Sequence, residues 1–263
     1  MTPNQKILAK TEGLIGNLIF NNPERHNAVS LAMWQKAQLV IDNYLQESKI
    51  RVLVLSGAGG KSFVSGADIS EFEENRSLVN DIEKYEEITA RVFNSLHSSK
   101  IPTIAMINGY CIGGGLALAL SCDLRICSDT SMFGLPAARL GLGYSLEGIR
   151  RLMEVVGPAM AKEIAFSATN LNAQRAYAIG LANCVVPSSS LQRTVNDYAE
   201  RIARNAPLTI AAMKHAVSES LKDSDERDIS ANEALVRACF ESEDYIEGRR
   251  AFMEKRDPVF TGK

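Results

Sequence analysis

The sequence predicts an α/β fold with a largely parallel sheet, followed by a region that contains helices only. Short apolar, β-branched runs occur at residues 52–56, 103–107 and 122–127, and such runs are typical of strands buried on both faces. Stretches with helical periodicity alternate with these strands, which favours crossover connections and parallel pairing. From about residue 191 onward the apolar residues follow helical spacing alone.

A polar linker, Pro187-Ser188-Ser189-Ser190, separates these two parts of the chain. We therefore expect residues 1–190 to form the α/β core and residues 191–263 to form a helical region that serves oligomerisation. The helices of this region are expected at about residues 191–205, 207–221, 226–241 and 243–255. Pro207 is well placed to begin one of them.

The first part of the chain begins with two alternating runs on either side of Glu12-Gly13, which predict a β-hairpin. Ser30 is a suitable N-cap for a helix that extends to about residue 48. The apolar stripe of this helix consists of Leu31, Trp34, Ala37, Val40, Ile41 and Leu45. We interpret Trp34 as a core residue, and we expect a second long helix over about residues 77–96.

Composition and charge exclude several classes of protein. Of the 263 residues, 46% are hydrophobic and 23% are charged, which is typical of a globular domain. The net charge of −2 offers no basic surface for nucleic acid, and no apolar run is long enough for a membrane span. The N-terminal residues lack the features of a signal or transit peptide, and the five cysteines show no C-x-x-C spacing. We expect a cytoplasmic enzyme without a metal site, binding neither nucleic acid nor membrane.

Two glycine-rich segments, residues 56–69 and 108–120, follow predicted strands. The first contains Gly60-Lys61-Ser62, but a nucleotide-binding P-loop requires another glycine five residues before Gly60, where the chain has Leu55. The second lacks the G-x-G-x-x-G spacing of dinucleotide-binding proteins. It leads into an apolar helix, so unpaired backbone N–H groups point toward whatever lies in front of it. Taken alone, this segment fits a tight strand-to-helix turn equally well.

Two such loops together indicate a more specific function. Backbone N–H groups from separate loops can converge on one oxygen atom and stabilise the negative charge that develops there. Each donor of this kind is commonly worth a few kcal/mol in a transition state. The pair of loops therefore predicts a site for an oxyanion.

Several motifs occur together in the order and at the spacing of one family. They are residues 63–69 (FVSGADI), 108–115 (NGYCIGGG) and 121–125 (SCDLR), with further segments at 21–28, 133–141, 173–181 and 247–256. On these motifs, which extend over essentially the whole chain, the sequence resembles the crotonase (enoyl-CoA hydratase/isomerase) superfamily. The resemblance implies a spiral of β-β-α turns with a helical C-terminal trimerisation region, assembled as a homotrimer or a dimer of trimers.

The resemblance also implies a ligand and its site. The substrate is expected to be an acyl-coenzyme A thioester, so coenzyme A arrives as part of the substrate and no cofactor is tightly bound. The enolate oxygen is expected between the backbone N–H groups of Ala67 and Gly114. The coenzyme A path implied by the family consists of Arg25, Ser65, Ala67, Asp68 and Ile69, with Phe252 and Lys255 reaching the nucleotide of a neighbouring subunit. A solvated surface charge is the alternative for Arg25 and Lys255, and a helix N-cap is the alternative for Asp68.

Two positions depart from the hydratase pattern. Hydration of an enoyl thioester needs a water molecule between two carboxylates, one acting as base and the other as acid. The positions of these two glutamates in the family are occupied here by Ala117 and Ala137. The resemblance therefore does not imply ordinary two-glutamate hydration, and isomerisation or another one-base reaction is favoured.

Glu147 lies in the loop that rims the acyl pocket in the family. A single base can remove the α-proton and return it at the γ carbon, so Glu147 is the candidate base. The alternative is a first-turn carboxylate that stabilises the helix beginning near it. Tyr144 and Ser145, in the same loop, are either pocket lining or solvated loop residues. For the whole protein, the alternatives are a thioester hydrolase or decarboxylase on the same fold, and an acyl-CoA-binding homologue that has lost catalysis.

Overall fold

The computed structural model describes residues 5–47, 49–68 and 79–263. This part of the chain contains ten strands, which form two sheets. The six strands of the large sheet are, in spatial order, β1 (Ile7–Glu12), β2 (Ile15–Phe20), β3 (Val52–Gly57), β5 (Thr103–Ile107), β7 (Leu124–Ser128) and β10 (Cys184–Val186). The four strands of the small sheet are β4 (Ser62–Val64), β6 (Tyr110–Ile112), β8 (Met132–Gly134) and β9 (Leu171–Asn172).

The same residues form nine helices. They are α1 (Leu31–Gln46), α2 (Val79–His97), α3 (Gly114–Leu120), α4 (Leu146–Ser167), α5 (Ala173–Ala178), α6 (Leu191–Ala203), α7 (Pro207–Ser220), α8 (Ile229–Glu241) and α9 (Glu243–Glu254). The first predicted helix and the four C-terminal ones begin and end within about three residues of the expected limits, and residues 77 and 78, where the second long helix is expected to begin, lie outside the described ranges. The helix expected from residue 226 begins at residue 229, because Asp228 is its N-cap and accepts a hydrogen bond from the N–H of Ala231 at 2.8 Å. None of the helices in the described ranges is both long and apolar enough to cross a membrane.

Three successive β-β-α units build the two sheets. β3 and β4 precede α2, β5 and β6 precede α3, and β7 and β8 precede α4. In each unit the first strand joins the large sheet and the second joins the small sheet, and each strand pairs in parallel with its counterpart in the neighbouring unit. The arrangement confirms both the largely parallel sheet and the spiral of β-β-α turns.

The pattern of hydrophobic residues in the sequence does not predict the small sheet. Its strands have only two or three residues, which is too short for an alternating pattern to be recognised. Two of these strands, β4 and β6, lie inside the segments that the sequence presents as glycine-rich loops. The glycines remain essential there, because a Cβ atom on Gly109 would overlap the carbonyl oxygen of Lys61.

The N-terminal hairpin and the first helix lie where the sequence predicts them. In the hairpin, Glu12 lies opposite Ile15 and Gly13 turns the chain with a φ of 62°. The hydroxyl of Ser30 caps α1 by accepting a hydrogen bond from the N–H of Met33 at 3.3 Å. The buried side of α1 consists of Met33, Trp34, Ala37, Val40, Ile41 and Tyr44, so the stripe is shifted slightly from the one expected.

Both faces of the large sheet are covered. The buried side of α1 packs on one face, and α6 packs on the other. The contact with α6 joins Leu191, Val195, Ala199 and Ala203 to Val52, Val54, Ile104 and Ile126. Burial on both faces explains why β3 is a continuous apolar run and not an alternating one. It also places α6, the first of the C-terminal helices, in direct contact with the sheet.

Candidate active site

The first candidate oxyanion loop, residues 65–68, follows β4 and lies beside Val29. The N–H of Val29 donates to the carbonyl oxygen of Gly66 at 2.9 Å, and the N–H of Asp68 donates to the carbonyl oxygen of Val29 at 3.2 Å. Val29 thereby pairs with the residues on either side of Ala67, so the N–H of Ala67 faces away from this pairing. Gly66 has a φ of 114°, a conformation that favours glycine.

The second loop connects β6 to α3. Gly113 has a φ of 56°, and its N–H donates to the carbonyl oxygen of Gly134 at 2.9 Å. Gly114 is the first residue of α3, so its N–H has no acceptor within the helix. A Cβ atom on Gly115 would overlap the carbonyl oxygen of Val64. Glycine at position 115 therefore lets the start of α3 lie directly against the strand that leads to Ala67.

The two loops bring the N–H groups of Ala67 and Gly114 close together. A Cβ atom on Gly114 would lie 3.8 Å from the Cα of Gly66 and 4.0 Å from the nitrogen of Ala67. A Cβ atom on Gly66 would likewise lie 3.8 Å from the nitrogen of Gly114. In the part of the chain that the structure describes, neither N–H donates to a protein acceptor. Two neighbouring donors of this kind suit an oxygen atom on which negative charge develops.

Arg25 and Asp68 form an ion pair next to this site. The Nη1 of Arg25 lies 3.0 Å from Oδ1 and 2.9 Å from Oδ2 of Asp68. The side chain of Asp68 is 12% exposed and that of Arg25 is 55% exposed. The ion pair therefore ties the N-terminal loop to the residue after Ala67. Asp68 could act as an N-cap only for residues that follow it, and these lie outside the described ranges. Ile69 lies outside them as well.

A cleft of about 480 Å³ lies beside this ion pair. Its lining includes three basic side chains, Lys6, Arg25 and Lys36, together with Asp68 and Met33. Clustered basic groups at a concave surface attract phosphate groups. The structure thus brings Arg25 and Asp68 together at a basic cleft, next to the loop that contains Ser65 and Ala67.

Phe252 and Lys255 do not line this cleft. Phe252 lies in the last turn of α9, where its side chain is 82% exposed, and Lys255 is the C-cap of the same helix. α9 packs against α8. The three helices α7, α8 and α9 carry several exposed apolar side chains, namely Met213, Val217, Ile229, Phe240, Ile246 and Met253.

Ala117 and Ala137 both border the oxyanion loops. Ala117 lies one helical turn after Gly114, and its N–H donates to the carbonyl oxygen of Gly113 at 3.1 Å. Ala137 lies in a short 3₁₀ turn, Pro136–Arg139. This turn is adjacent to Gly113, because a Cβ atom there would lie 3.9 Å from the Cδ of Pro136. Both alanines are half-buried, so each of the two positions offers a methyl group beside the site.

Glu147 lies in the first turn of α4, next to the N-cap Ser145, whose hydroxyl accepts a hydrogen bond from the N–H of Gly148 at 3.2 Å. Two arginines hold its carboxylate: Nε of Arg150 lies 3.0 Å from Oε2, and Nη2 of Arg151 lies 3.1 Å from Oε1. The hydrogen bonds from Arg150 and the charge of Arg151 lower the pKa of Glu147 below its ordinary value of 4.5. These contacts agree with the alternative that Glu147 is a carboxylate in the first turn of a helix, where it stabilises that helix. Because they lower its pKa, they also make the carboxylate a weaker base.

Arg151 also connects Glu147 to α3. The Arg151 side chain is buried, its Nη1 donates to the hydroxyl of Ser121 at 3.0 Å, and its Nη2 donates to Oδ1 of Asn94 at 2.5 Å. The hydroxyl of Ser121 in turn donates to the carbonyl oxygen of Ala117 at 2.9 Å. The C-terminal end of α3 is thereby anchored to both α2 and α4.

Asn27 is a structural residue of the site that the sequence analysis does not single out. It has a φ of 55°, and its Oδ1 accepts a hydrogen bond from the N–H of Asn22 at 2.8 Å. Its Nδ2 donates to the carbonyl oxygens of Ala58 at 2.9 Å and Ser62 at 2.8 Å. Asn27 therefore fixes the N-terminal loop to the chain entering β4. An asparagine in a turn-rich loop is the signal that points to such a role, because asparagine tolerates positive φ.

Trp34 and Tyr85 form a second contact that the sequence does not reveal. The Nε1 of Trp34 donates to the hydroxyl of Tyr85 at 3.0 Å. The Cζ2 atom of the same indole lies 3.9 Å from the position that a Cβ atom on Gly114 would occupy. The two residues are 51 positions apart in the chain, and no local pattern relates them.

The fold and the sequence together place this chain in one class of proteins. Residues 10–263 match the enoyl-CoA hydratase/isomerase family, and the chain belongs to this family of enzymes. It is 36% identical to the short-chain-enoyl-CoA hydratase of Clostridium acetobutylicum, with 97% of each chain covered. It is 32% identical to the crotonyl-CoA hydratase of Syntrophomonas wolfei, with 98% of this chain and 99% of the relative covered.

Solved structures agree with this assignment. An enoyl-CoA hydratase/carnithine racemase from Magnetospirillum magneticum superposes with a TM-score of 0.94 at 32% identity. The match covers 99% of this chain and 97% of the other. The predicted superfamily and the predicted crotonase-type fold are therefore both confirmed.

Proposed function

We propose that this protein binds an acyl-CoA thioester and stabilises its enolate between the N–H groups of Ala67 and Gly114. The observation that carries the proposal is the close approach of these two amides, which donate to no acceptor in the described residues. The carbonyl oxygen of a thioester becomes negatively charged when the α carbon loses a proton, and fixed donors stabilise that charge more than the neutral carbonyl. The names of the two hydratase relatives support a coenzyme A thioester as the substrate.

The basic cleft supports coenzyme A as the ligand. The phosphate groups of coenzyme A suit the basic side chains Lys6, Arg25 and Lys36 of the cleft. We assign the pantetheine and adenine groups to Ser65, Ala67, Asp68 and Ile69, as the family resemblance implies. Phe252 and Lys255 act on the nucleotide of a neighbouring subunit in a homotrimer or a dimer of trimers. The exposed apolar side chains of α7, α8 and α9 support such an assembly.

The reaction that we favour is isomerisation of an enoyl thioester, or another reaction that needs one base. Ala117 and Ala137 carry no ionisable group, whereas a single base that moves a proton between the α and γ carbons suffices for isomerisation. Glu147 is the candidate for this base. To act, its carboxylate has to turn from Arg150 and Arg151 toward the substrate.

The experiment that tests the proposed function measures binding and conversion together. Coenzyme A esters are titrated into the protein by calorimetry, and a panel of short enoyl-CoA compounds is assayed for conversion. We expect both binding and conversion. Binding without conversion of any compound would favour the acyl-CoA-binding alternative, which the two alanines support. Absence of binding would contradict the proposal.

Replacing Glu147 by glutamine tests the candidate base. We expect kcat to fall by about 10²- to 10⁴-fold, because a positioned acid–base group contributes that much. Since the arginine contacts lower the pKa of Glu147, its ionised form persists until the pH falls below the ordinary value of 4.5. These contacts are present in the free enzyme, so the wild-type kcat/KM should show no loss from this group between pH 7 and that value, and it should fall only at lower pH.

Glu163→Gln is the matched control for this variant. Glu163 is an exposed glutamate of the same helix, α4, and lies 3.8 Å from Arg175. Its replacement should leave kcat within about twofold of the wild-type value. Unchanged turnover in Glu147→Gln would remove Glu147 from the mechanism.

A further inference from the structure

The indole of Trp34 is held rigidly in the core of the protein. It is fully buried and lies edge-on between Phe20 and Phe93, with ring centroids 5.8 and 5.5 Å away. Its N–H donates to the hydroxyl oxygen of Tyr85, a half-buried residue of α2. Because the donor cannot move in this packing, it fixes the position of the phenol oxygen.

The same indole extends to the oxyanion site. Its Cζ2 atom lies 3.9 Å from the position of a Cβ atom on Gly114, and that position is 4.0 Å from the nitrogen of Ala67. Cζ2 and Nε1 belong to the same edge of the indole. The hydroxyl of Tyr85 and the two amides are therefore grouped around one edge of Trp34.

We propose that Tyr85 is the acid that delivers a proton to the α carbon of the enolate. This inference rests on the proposed function, because it requires an enolate whose oxygen lies between Ala67 and Gly114. The O–H bond of Tyr85 breaks, and the electron pair of the enolate forms a C–H bond at the α carbon. The thioester carbonyl is restored, and the phenolate regains a proton from water. The N–H of Trp34 stabilises the negative charge on the phenol oxygen during this step.

Other side chains near the site are less suited to this step. Ala117 and Ala137 have no proton to give, and the carboxylate of Glu147 is held in its charged form by Arg150 and Arg151. The hydroxyl of Tyr85 is a weak acid in a partly buried position. When Tyr85 protonates the α carbon, the one base of the proposed isomerisation only has to remove the proton at the γ carbon, and it no longer has to carry a proton between the two carbons.

The test is exchange of the α hydrogens of butyryl-CoA with deuterium oxide, followed by mass spectrometry. A saturated thioester has no γ chemistry to perform, so the exchange reports proton transfer at the α carbon alone. In the reverse of the proposed step, Tyr85 releases its proton to the solvent and its phenolate removes an α proton. The phenol exchanges that proton with deuterium oxide and returns a deuteron to the α carbon. We expect Tyr85→Phe to slow the exchange by about 100-fold or more, with a dissociation constant for butyryl-CoA within about twofold of the wild-type value. Tyr44→Phe is the matched control, because the hydroxyl of Tyr44 donates to the carbonyl oxygen of Lys10 at 2.9 Å and not near either amide. It should exchange at the wild-type rate.

The outcomes separate this inference from the function on which it rests. Wild-type exchange in Tyr85→Phe would overturn the role of Tyr85 and leave it as the partner of a buried indole. A wild-type protein that binds butyryl-CoA but exchanges none of its α hydrogens would contradict the enolate function itself.

A second variant covers the case in which Tyr85→Phe does not fold. Incorporation of 3-fluorotyrosine at position 85 keeps the ring and the hydroxyl while making the phenol more acidic. A proton-transfer role predicts a change of a few-fold in the exchange rate. A purely structural role predicts none, and that result would count against the proposal.

Discussion

Replacing Gly114 by proline is expected to lower the turnover of acyl-CoA substrates by about 10²- to 10³-fold, the usual effect of removing one oxyanion donor. Proline at this position removes the N–H that we propose as the second oxyanion donor. The first position of a helix tolerates proline, because its N–H makes no hydrogen bond within the helix. The protein should therefore remain folded, and steady-state kinetics together with thermal unfolding measures both effects.

Glu243→Pro is the control for a proline at the start of a helix. Glu243 is the exposed first residue of α9 and follows the N-cap Ser242, which is in extended backbone conformation. It lies far along the chain from both oxyanion loops and should retain wild-type turnover. Turnover in Gly114→Pro equal to that of this control would show that the Gly114 N–H does not take part in catalysis.

Replacing Gly115 by alanine is expected to impair both stability and activity. The added methyl group would overlap the carbonyl oxygen of Val64, so α3 has to move away from β4. Insertion of an atom into close packing typically costs about 1–3 kcal/mol, which urea denaturation can measure. The same shift separates the N–H of Gly114 from that of Ala67, so turnover should fall as well.

Gly143→Ala provides the comparison for this second substitution. A Cβ atom at position 143 would meet no atom within 4 Å, and its backbone does not have a positive φ. Its unfolding midpoint and turnover should stay at wild-type values. If Gly115→Ala behaved in the same way, the packing of α3 on β4 would not be what positions the second amide.

The elements that could be predicted from the sequence are those specified by neighbouring residues. The Ser30 cap, the turn at Gly13 and the buried run of β3 each depend on local geometry or on a periodic pattern. The limits of α1 and of the four C-terminal helices could be predicted for the same reason. The glycine loops showed where unpaired N–H groups lie, and the resemblance then singled out Ala67 and Gly114.

The parts that could not be predicted depend on contacts between distant segments. The strands of the small sheet are too short to show a pattern. The pairing of Glu147 with Arg150 and Arg151 is local, but the burial of Arg151 against Asn94 and Ser121 is set by how α2, α3 and α4 pack. The contact between Trp34 and Tyr85 joins α1 to α2 across the core. No spacing in the sequence encodes such a contact.

A crystal structure of the wild-type protein with a bound acyl-CoA thioester would test most directly whether the carbonyl oxygen lies between the two amides. We expect this oxygen to lie about 3 Å from both the nitrogen of Ala67 and the nitrogen of Gly114. A thioester bound with its carbonyl oxygen directed away from both nitrogens would contradict the proposed oxyanion site.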